Sequence, residues 1–178
     1  IPPVSKLNAE QAMLWFMMGY TSKLAGTETG ITEPKATFSR FFGQPFMPST
    51  PDTYAEMLGE KMQKHHTRVY LINTGWTGGA YGKGKRIDIV YTRRMVNAAL
   101  SGELENGNFR HDDLFHLDIP LKCPGVPSEI LFPRNTWDDK KAYDQQARTL
   151  AKKFSEAFDE AYGNKKIRME VASQCPGK

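Results

Sequence analysis

The sequence predicts an α/β fold, with helices set among short strands around one core. Three observations carry that expectation. The apolar run Val69-Tyr70-Leu71-Ile72 has the length and side chains of a buried strand. It passes through a glycine-rich stretch, Gly78 to Gly84, towards a helical pattern after Thr92. Other patterns of helical period, at 8–20, 50–62 and 136–161, stand between this strand and further extended stretches, so the class is α/β or mixed α+β.

The elements follow in order. Asn8 can cap a helix with Gln11 at the capping-box position, and Ala12, Trp15, Phe16, Gly19 and Tyr20 continue it. Leu14, Met17 and Met18 make its other side apolar too, which predicts burial on most sides. Residues 25–50 form a long loop punctuated by glycine and proline, which Phe38, Phe41, Phe42 and Phe46 would pin to a core. Thr50-Pro51 starts a second helix, in which Tyr54, Met57, Leu58, Lys61 and Met62 form an amphipathic face. After the strand at 68–73 and the glycine loop, Arg86-Ile87-Asp88-Ile89-Val90 alternates like a short strand. Thr92 then caps a helix that Gly102 ends. Leu114 to Ile119 alternates as a strand, and the last helix starts near Thr136. The polar end, Gly163 to Lys178, is expected on the surface.

Composition narrows the function. The 178 residues suffice for one domain with a core. No apolar run approaches the ~20 residues that span a bilayer. The net charge of +4 is scattered, which gives little support to nucleic-acid binding and suits an anionic small molecule equally well. Cys123 and Cys175 form no Cys-x-x-Cys, so a zinc ribbon or redox pair is not indicated, and a reducing compartment is expected over a disulfide. Ile1-Pro2-Pro3-Val4-Ser5 has neither Met nor a signal sequence, and reads as the interior of a longer chain.

The candidate chemistry centres on the glycine loop. Gly79-x-x-x-x-Gly84-Lys85-Arg86 misses the phosphate-loop pattern by one residue. Arginine stands where a Ser/Thr hydroxyl would hold Mg²⁺, and a guanidinium carries only donors. The extended sequence expected after Arg86 argues the same way, because a phosphate loop must open a helix. Two readings stay open: a plain hairpin turn with solvated cations, or a loop presenting Arg86 as a planar charged fork to a ligand. A nucleic-acid-binding module using the same basic loop is the alternative function. His111 and His116, with Asp112 and Asp113 between them, have poor spacing for a metal, and His65-His66 suits a helix end. No Gly-x-Ser-x-Gly and no His–Glu metal helix is present.

Several blocks resemble the ATP-dependent phosphoenolpyruvate carboxykinases. They are Ile1 to Leu7, Gly19 to Glu28, Gly30-Ile31-Thr32-Glu33-Pro34, Phe42-Gly43-Gln44-Pro45-Phe46, Asn73-Thr74-Gly75-Trp76, Gly84-Lys85-Arg86-Ile87 and Pro133-Arg134-Asn135-Thr136-Trp137, in the family's order. The resemblance implies the C-terminal portion of a mononucleotide-binding carboxykinase catalytic domain, a mixed sheet with flanking helices, over residues 1–178. The family turns oxaloacetate and ATP into phosphoenolpyruvate, ADP and CO₂ in gluconeogenesis. The likeness places the phosphate loop, the ligands of a divalent metal (Mg²⁺ or Mn²⁺) and the oxaloacetate-binding arginine upstream of Ile1, so the isolated segment is expected to be inactive. Arg86, Ile87 and Thr92 carry over as ATP-binding residues, and Phe46 resembles the ring near the adenine. Arg86 would lie against the purine and donate to its acceptors, Ile87 would pack on purine or ribose and offer its backbone groups, and Thr92 would donate or accept one hydrogen bond at the pocket edge. Some shorter members lack residues in the region of Gly78–Gly82, which is long here. The implied partners are oxaloacetate or phosphoenolpyruvate, ATP or ADP, and the rest of the chain, with a homo-oligomer left open. Neither nucleic acid nor membrane is expected. The implied compartment is the cytoplasm, with a glycosome- or peroxisome-like organelle as the alternative.

Overall fold

The computed structural model describes residues 1–23, 35–39 and 46–178, without the side chains of 22, 23, 35 and 36. Most of the expected 25–50 loop, with Phe41 and Phe42, lies outside the described residues. In chain order the elements are β1 (Val4–Leu7), α1 (Ala9–Met18), β2 (Tyr20–Lys23), β3 (Lys35–Phe38), α2 (Pro51–His65), β4 (Val69–Ile72), β5 (Trp76–Thr77), β6 (Lys85–Arg86), α3 (Ile89–Ser101), β7 (Phe109–Asp112), β8 (Leu117–Pro120), α4 (Ser128–Leu131), α5 (Pro133–Thr136), α6 (Lys140–Tyr162) and α7 (Met169–Ala172). The chain divides into two compact units. One holds Ile1–Leu7 and Arg68–Ala151, the other Asn8–Thr67 and Lys152–Lys178.

The first unit is built on a four-stranded sheet in the order β4-β1-β8-β7. Strand and helix are mixed as expected, but every pairing among the described residues is antiparallel. Val4 lies opposite Ile72, Lys6 opposite Asp118, and His111 also opposite Asp118. Behind the sheet Val4, Ile87, Met95, Ala98, Ile119 and Leu131 form one apolar core. The strand expected from Leu114 begins only at Leu117, because Asp112 Oδ1 accepts the N–H groups of Leu114 and Phe115 and turns the chain. That shift puts His111 inside β7, where it had been expected ahead of a strand.

Glu105 ties two strands of this sheet. Lys6 Nζ donates to one carboxylate oxygen at 2.8 Å, and the Tyr70 hydroxyl donates to the other. The Lys6 hydrogen bond, then that of Tyr70, holds the Glu105 carboxyl below its ordinary range. A depressed carboxyl pKa stabilises the fold above the unfolded value of about 4.3, and that stability is lost as pH falls through the folded value. Glu105→Gln should therefore lower the urea midpoint of the full chain at neutral pH and converge on wild type only once the pH has fallen below the depressed folded-state value. A difference that is constant with pH would sink this assignment.

The second unit is organised by α1. The capping box is present: Asn8 Oδ1 accepts the Gln11 N–H and Gln11 Oε1 accepts the Asn8 N–H, both at 2.8 Å. Gly19 (φ 55°) caps the helix after Met18 and Tyr20 starts a strand, so the helix ends two residues before the Tyr20 that the spacing included. Residues 11–15, 17 and 18 are buried. The second helix starts at Pro51 as expected, but it buries Ala55, Gly59 and Met62 and leaves Met57 exposed. Small residues win that face because α1 comes close there: a Cβ on Gly59 would stand 2.7 Å from Met13 Sδ. Phe154 of α6 is fully buried against the rings of Trp15, Tyr20 and Phe38, at 5.0, 5.0 and 4.8 Å between centroids.

Two expectations about the chain's later part change. The last helix starts at Lys140 rather than near Thr136, because Asp139 Oδ1 accepts the N–H groups of Lys141 and Ala142 and caps it there. The polar end is not simply surface, since Val171 and Cys175 are buried in the second unit. Cys123 and Cys175 are free buried thiols, and burial pushes Cys175 up to about 12. No helix among the described residues is long and apolar enough to cross a membrane.

Candidate functional site

The glycine loop is a hairpin in the first unit. β5 and β6 pair antiparallel with Trp76 opposite Arg86 and Thr77 opposite Lys85. The connection folds back on itself, with the Ala80 carbonyl accepting the N–H groups of Lys83 (3.0 Å) and Gly84 (2.8 Å). A Cβ on Gly84 would lie 2.4 Å from the Gly79 oxygen and 2.6 Å from that of Thr77. Glycine is required there because backbone meets backbone.

Three anchors hold this hairpin. Asn73 Oδ1 accepts the Gly75 N–H at 2.9 Å, and the Gly75 carbonyl accepts the Ile87 N–H at 2.9 Å. The Thr136 hydroxyl accepts from Gly78 N–H and from the Thr77 hydroxyl, both at 3.0 Å, and donates to the Pro133 carbonyl at 2.8 Å. Across the strands, the Arg86 guanidinium carbon lies 5.1 Å from the Trp76 ring centroid. Tyr81 meets the same indole edge-on at 5.6 Å. An exposed cation–π contact of this kind is worth about 0.5–1 kcal/mol, enough to bias the orientation of an otherwise mobile side chain.

The three residues expected to bind ATP lie on one passage from hairpin to helix, in different settings. Arg86 is exposed on β6. Ile87 is 7% exposed and belongs to the core with Val4, Met95 and Ile119, so its side chain is committed to the protein rather than free to pack on a purine. Thr92 is 9% exposed and is the fourth residue of α3, its N–H donating to the Asp88 carbonyl at 3.0 Å. It does not cap the helix. Asp88 does, accepting the Val90 N–H at 2.8 Å. The alternation at 86–90 is thus a strand end followed by a helix start. One argument against a phosphate loop, the extended sequence after it, therefore fails. The other stands, because Arg86 supplies no hydroxyl. Phe46 lies in the second unit and is 90% exposed.

Elsewhere in the first unit, Arg134 makes a two-pronged bond to Asp144 at 2.7 and 3.1 Å on the edge of a cleft of about 440 Å³ that Asp112 and Tyr143 also line. His111 Nδ1 lies 2.8 Å from Asp118, and its ring is 6.1 Å from that of His116. Burial, then the neighbouring His111, lowers the basicity of His116. Among the described residues no group of three His, Cys, Asp or Glu could hold a metal ion.

Sequence reasoning placed none of Trp76, Tyr81 and Thr136 at the candidate site. The signal for Trp76 was the hairpin register, which is set by the loop's internal fold rather than by its composition. Thr136 is 58 residues from Gly78, and nothing local marks their contact.

A family model described as phosphoenolpyruvate carboxykinase matches residues 1–129. Phosphoenolpyruvate carboxykinase (ATP) of Caldanaerobacter subterraneus subsp. tengcongensis is 57% identical over 176 residues, covering 99% of this chain and 33% of the relative. The protein of the same name from Thermus thermophilus is also 57% identical, with the same coverage. That of Bacillus cytotoxicus is 58% identical over 158 residues, covering 89% of this chain and 30% of the relative. The chain thus spans about a third of the length of these relatives.

Proposed function

Because the chain belongs to the phosphoenolpyruvate carboxykinase family, we propose that it supplies the nucleoside end of the ATP site in an enzyme converting oxaloacetate and ATP to phosphoenolpyruvate, ADP and CO₂. The observation that carries this reading is Arg86, exposed on a short hairpin with one face over Trp76. Among the described residues no hydrogen bond or ion pair engages its N–H fork, and the side chain is exposed. A purine stacked on the other face would complete a ring–guanidinium–ring sandwich, with the fork donating to its acceptors. Ile87 supports this reading through its backbone: its buried side chain and its N–H bond to Gly75 fix the main chain from which Arg86 projects. Thr92 is buried one turn inside α3, and its part as a nucleotide contact rests on the likeness to the family alone.

In the reaction proposed for the whole enzyme, the C–C bond to the departing carboxylate breaks and CO₂ leaves. The enolate oxygen then takes the γ-phosphoryl group as the bond to ADP breaks. Positioning of ATP is what this segment contributes. The described residues provide no cluster suited to the divalent metal implied by the family, Mg²⁺ or Mn²⁺. Placement of the segment in the C-terminal part of the nucleotide-binding domain, with phosphate loop and metal ligands upstream, belongs to this proposal and rests on the likeness of its motifs. So does a cytoplasmic location. Nothing in the hairpin favours the nucleic-acid alternative, since its cations are not part of a dense basic face.

In the full chain, Arg86→Ala should weaken ATP binding by about 10- to 30-fold, measured by calorimetry or a fluorescent nucleotide. The KM for oxaloacetate should not move. Unchanged ATP affinity would overturn the reading.

A further inference from the structure

We propose that Thr136 is a positioning residue for nucleotide binding, acting through the glycine hairpin on Arg86. This rests on the reading of Arg86 as the nucleoside contact. A threonine hydroxyl has one donor and two acceptor sites. At Thr136 all three are used: Gly78 N–H and the Thr77 hydroxyl donate in, and the hydroxyl donates out to the Pro133 carbonyl.

The two incoming bonds come from adjacent residues at the first corner of the loop. Gly78 has φ 75°, a turn that the bond to Thr136 helps to hold. Thr77 is 8% exposed and pairs with Lys85, and its neighbour Trp76 pairs with Arg86. The hydroxyl therefore fixes the strand on which the Arg86 side chain rests.

Its own position is firm. α5 is held to the start of α6 by Arg134 on Asp144, and by Lys140 Nζ on the carbonyls of Asn135 (2.9 Å) and Trp137 (2.6 Å). Thr136 is thus a post to which the hairpin is tied, and it needs no contact with the nucleotide. Removing the hydroxyl leaves Gly78 N–H and the Thr77 hydroxyl without their acceptor and lets the corner move.

The test uses the full chain with four variants: Thr136→Ala, Thr136→Ser, Thr77→Val and Arg86→Ala. Thr136→Ala should raise the KM and Kd for ATP about three- to tenfold, leaving kcat and the KM for oxaloacetate unchanged. Thr136→Ser keeps the hydroxyl and should restore near-wild-type ATP affinity. Should Thr136→Ala fail to fold, Thr77→Val removes one of the three bonds and should raise the ATP KM by a smaller factor. The inference falls if Arg86→Ala weakens ATP binding while Thr136→Ala and Thr77→Val do not. It falls too if Thr136→Ser is as weak as Thr136→Ala. If Arg86→Ala leaves ATP affinity unchanged, the underlying reading of the site fails, and this inference with it.

Discussion

Gly84→Ala is expected to destroy the native glycine hairpin and, with it, tight ATP binding by the full chain. The new Cβ would sit 2.4 Å from the Gly79 oxygen and 2.6 Å from the Thr77 oxygen. Both obstacles are backbone, so no side-chain rotation relieves them. Thr77 cannot retreat, because it is paired with Lys85 and bonded to Thr136. Overpacking of this kind costs about 3 kcal/mol or more when the backbone must shift. ATP affinity should fall at least as far as in Arg86→Ala, about tenfold or more, since the strand carrying Arg86 is displaced. Gly82→Ala is the control. Gly82, unlike Gly84, has a left-handed φ, 83°, but its Cβ would meet nothing within 4 Å, so only about 1–2 kcal/mol of backbone strain is expected. A Gly84→Ala enzyme with wild-type melting temperature and ATP affinity would refute the close approach.

Phe154→Ala should be the most destabilising single truncation in the second unit. Its ring is fully buried and touches Trp15, Tyr20 and Phe38, which come from a helix and two strands. Truncation leaves a cavity that three rings on different elements cannot all close. The cost should be about 3–5 kcal/mol, against about 1.5 kcal/mol or less for Phe154→Leu. The measurement is the denaturant midpoint of the full chain followed by tryptophan fluorescence, for which Trp15 is a local reporter. A loss below about 1 kcal/mol for the alanine variant would show that the rings repack.

What was legible in the sequence divides along physical lines. Helix ends with strong local chemistry were readable: Asn8 with Gln11, Thr50-Pro51 and Gly102 all stand where expected. The start of α3 was missed because its cap, Asp88, sits inside an alternating apolar stretch, and alternation outweighed the capping residue. The strand before Leu117 failed for a similar reason, an Asx turn at Asp112 interrupting the period. The burial of Val171 and Cys175 was hidden in a polar tail. At the site, Arg86 could be singled out as a charged fork on a glycine loop. Its indole support, and the tie from Thr136, are non-local and appear only once strands are in register. The two-unit division left no linker or composition shift to read, because the chain crosses from one unit to the other at Leu7 to Asn8, at Thr67 to Arg68 and inside α6, with at most a short connection each time.

The strand order β4-β1-β8-β7 has a bearing on synthesis. β1 lies inside the sheet, with β4 on one edge and β8 on the other. During translation it leaves the ribosome first of the four, and its backbone groups must wait for Arg68 onward before one edge is covered and for Leu117 onward before the second is. Pairings so distant along the chain make for slow closure. Through that interval Val4 and Leu7 are apolar side chains on an unpaired strand. Within this segment, one edge of β1 therefore stays open to mispairing until β8 emerges.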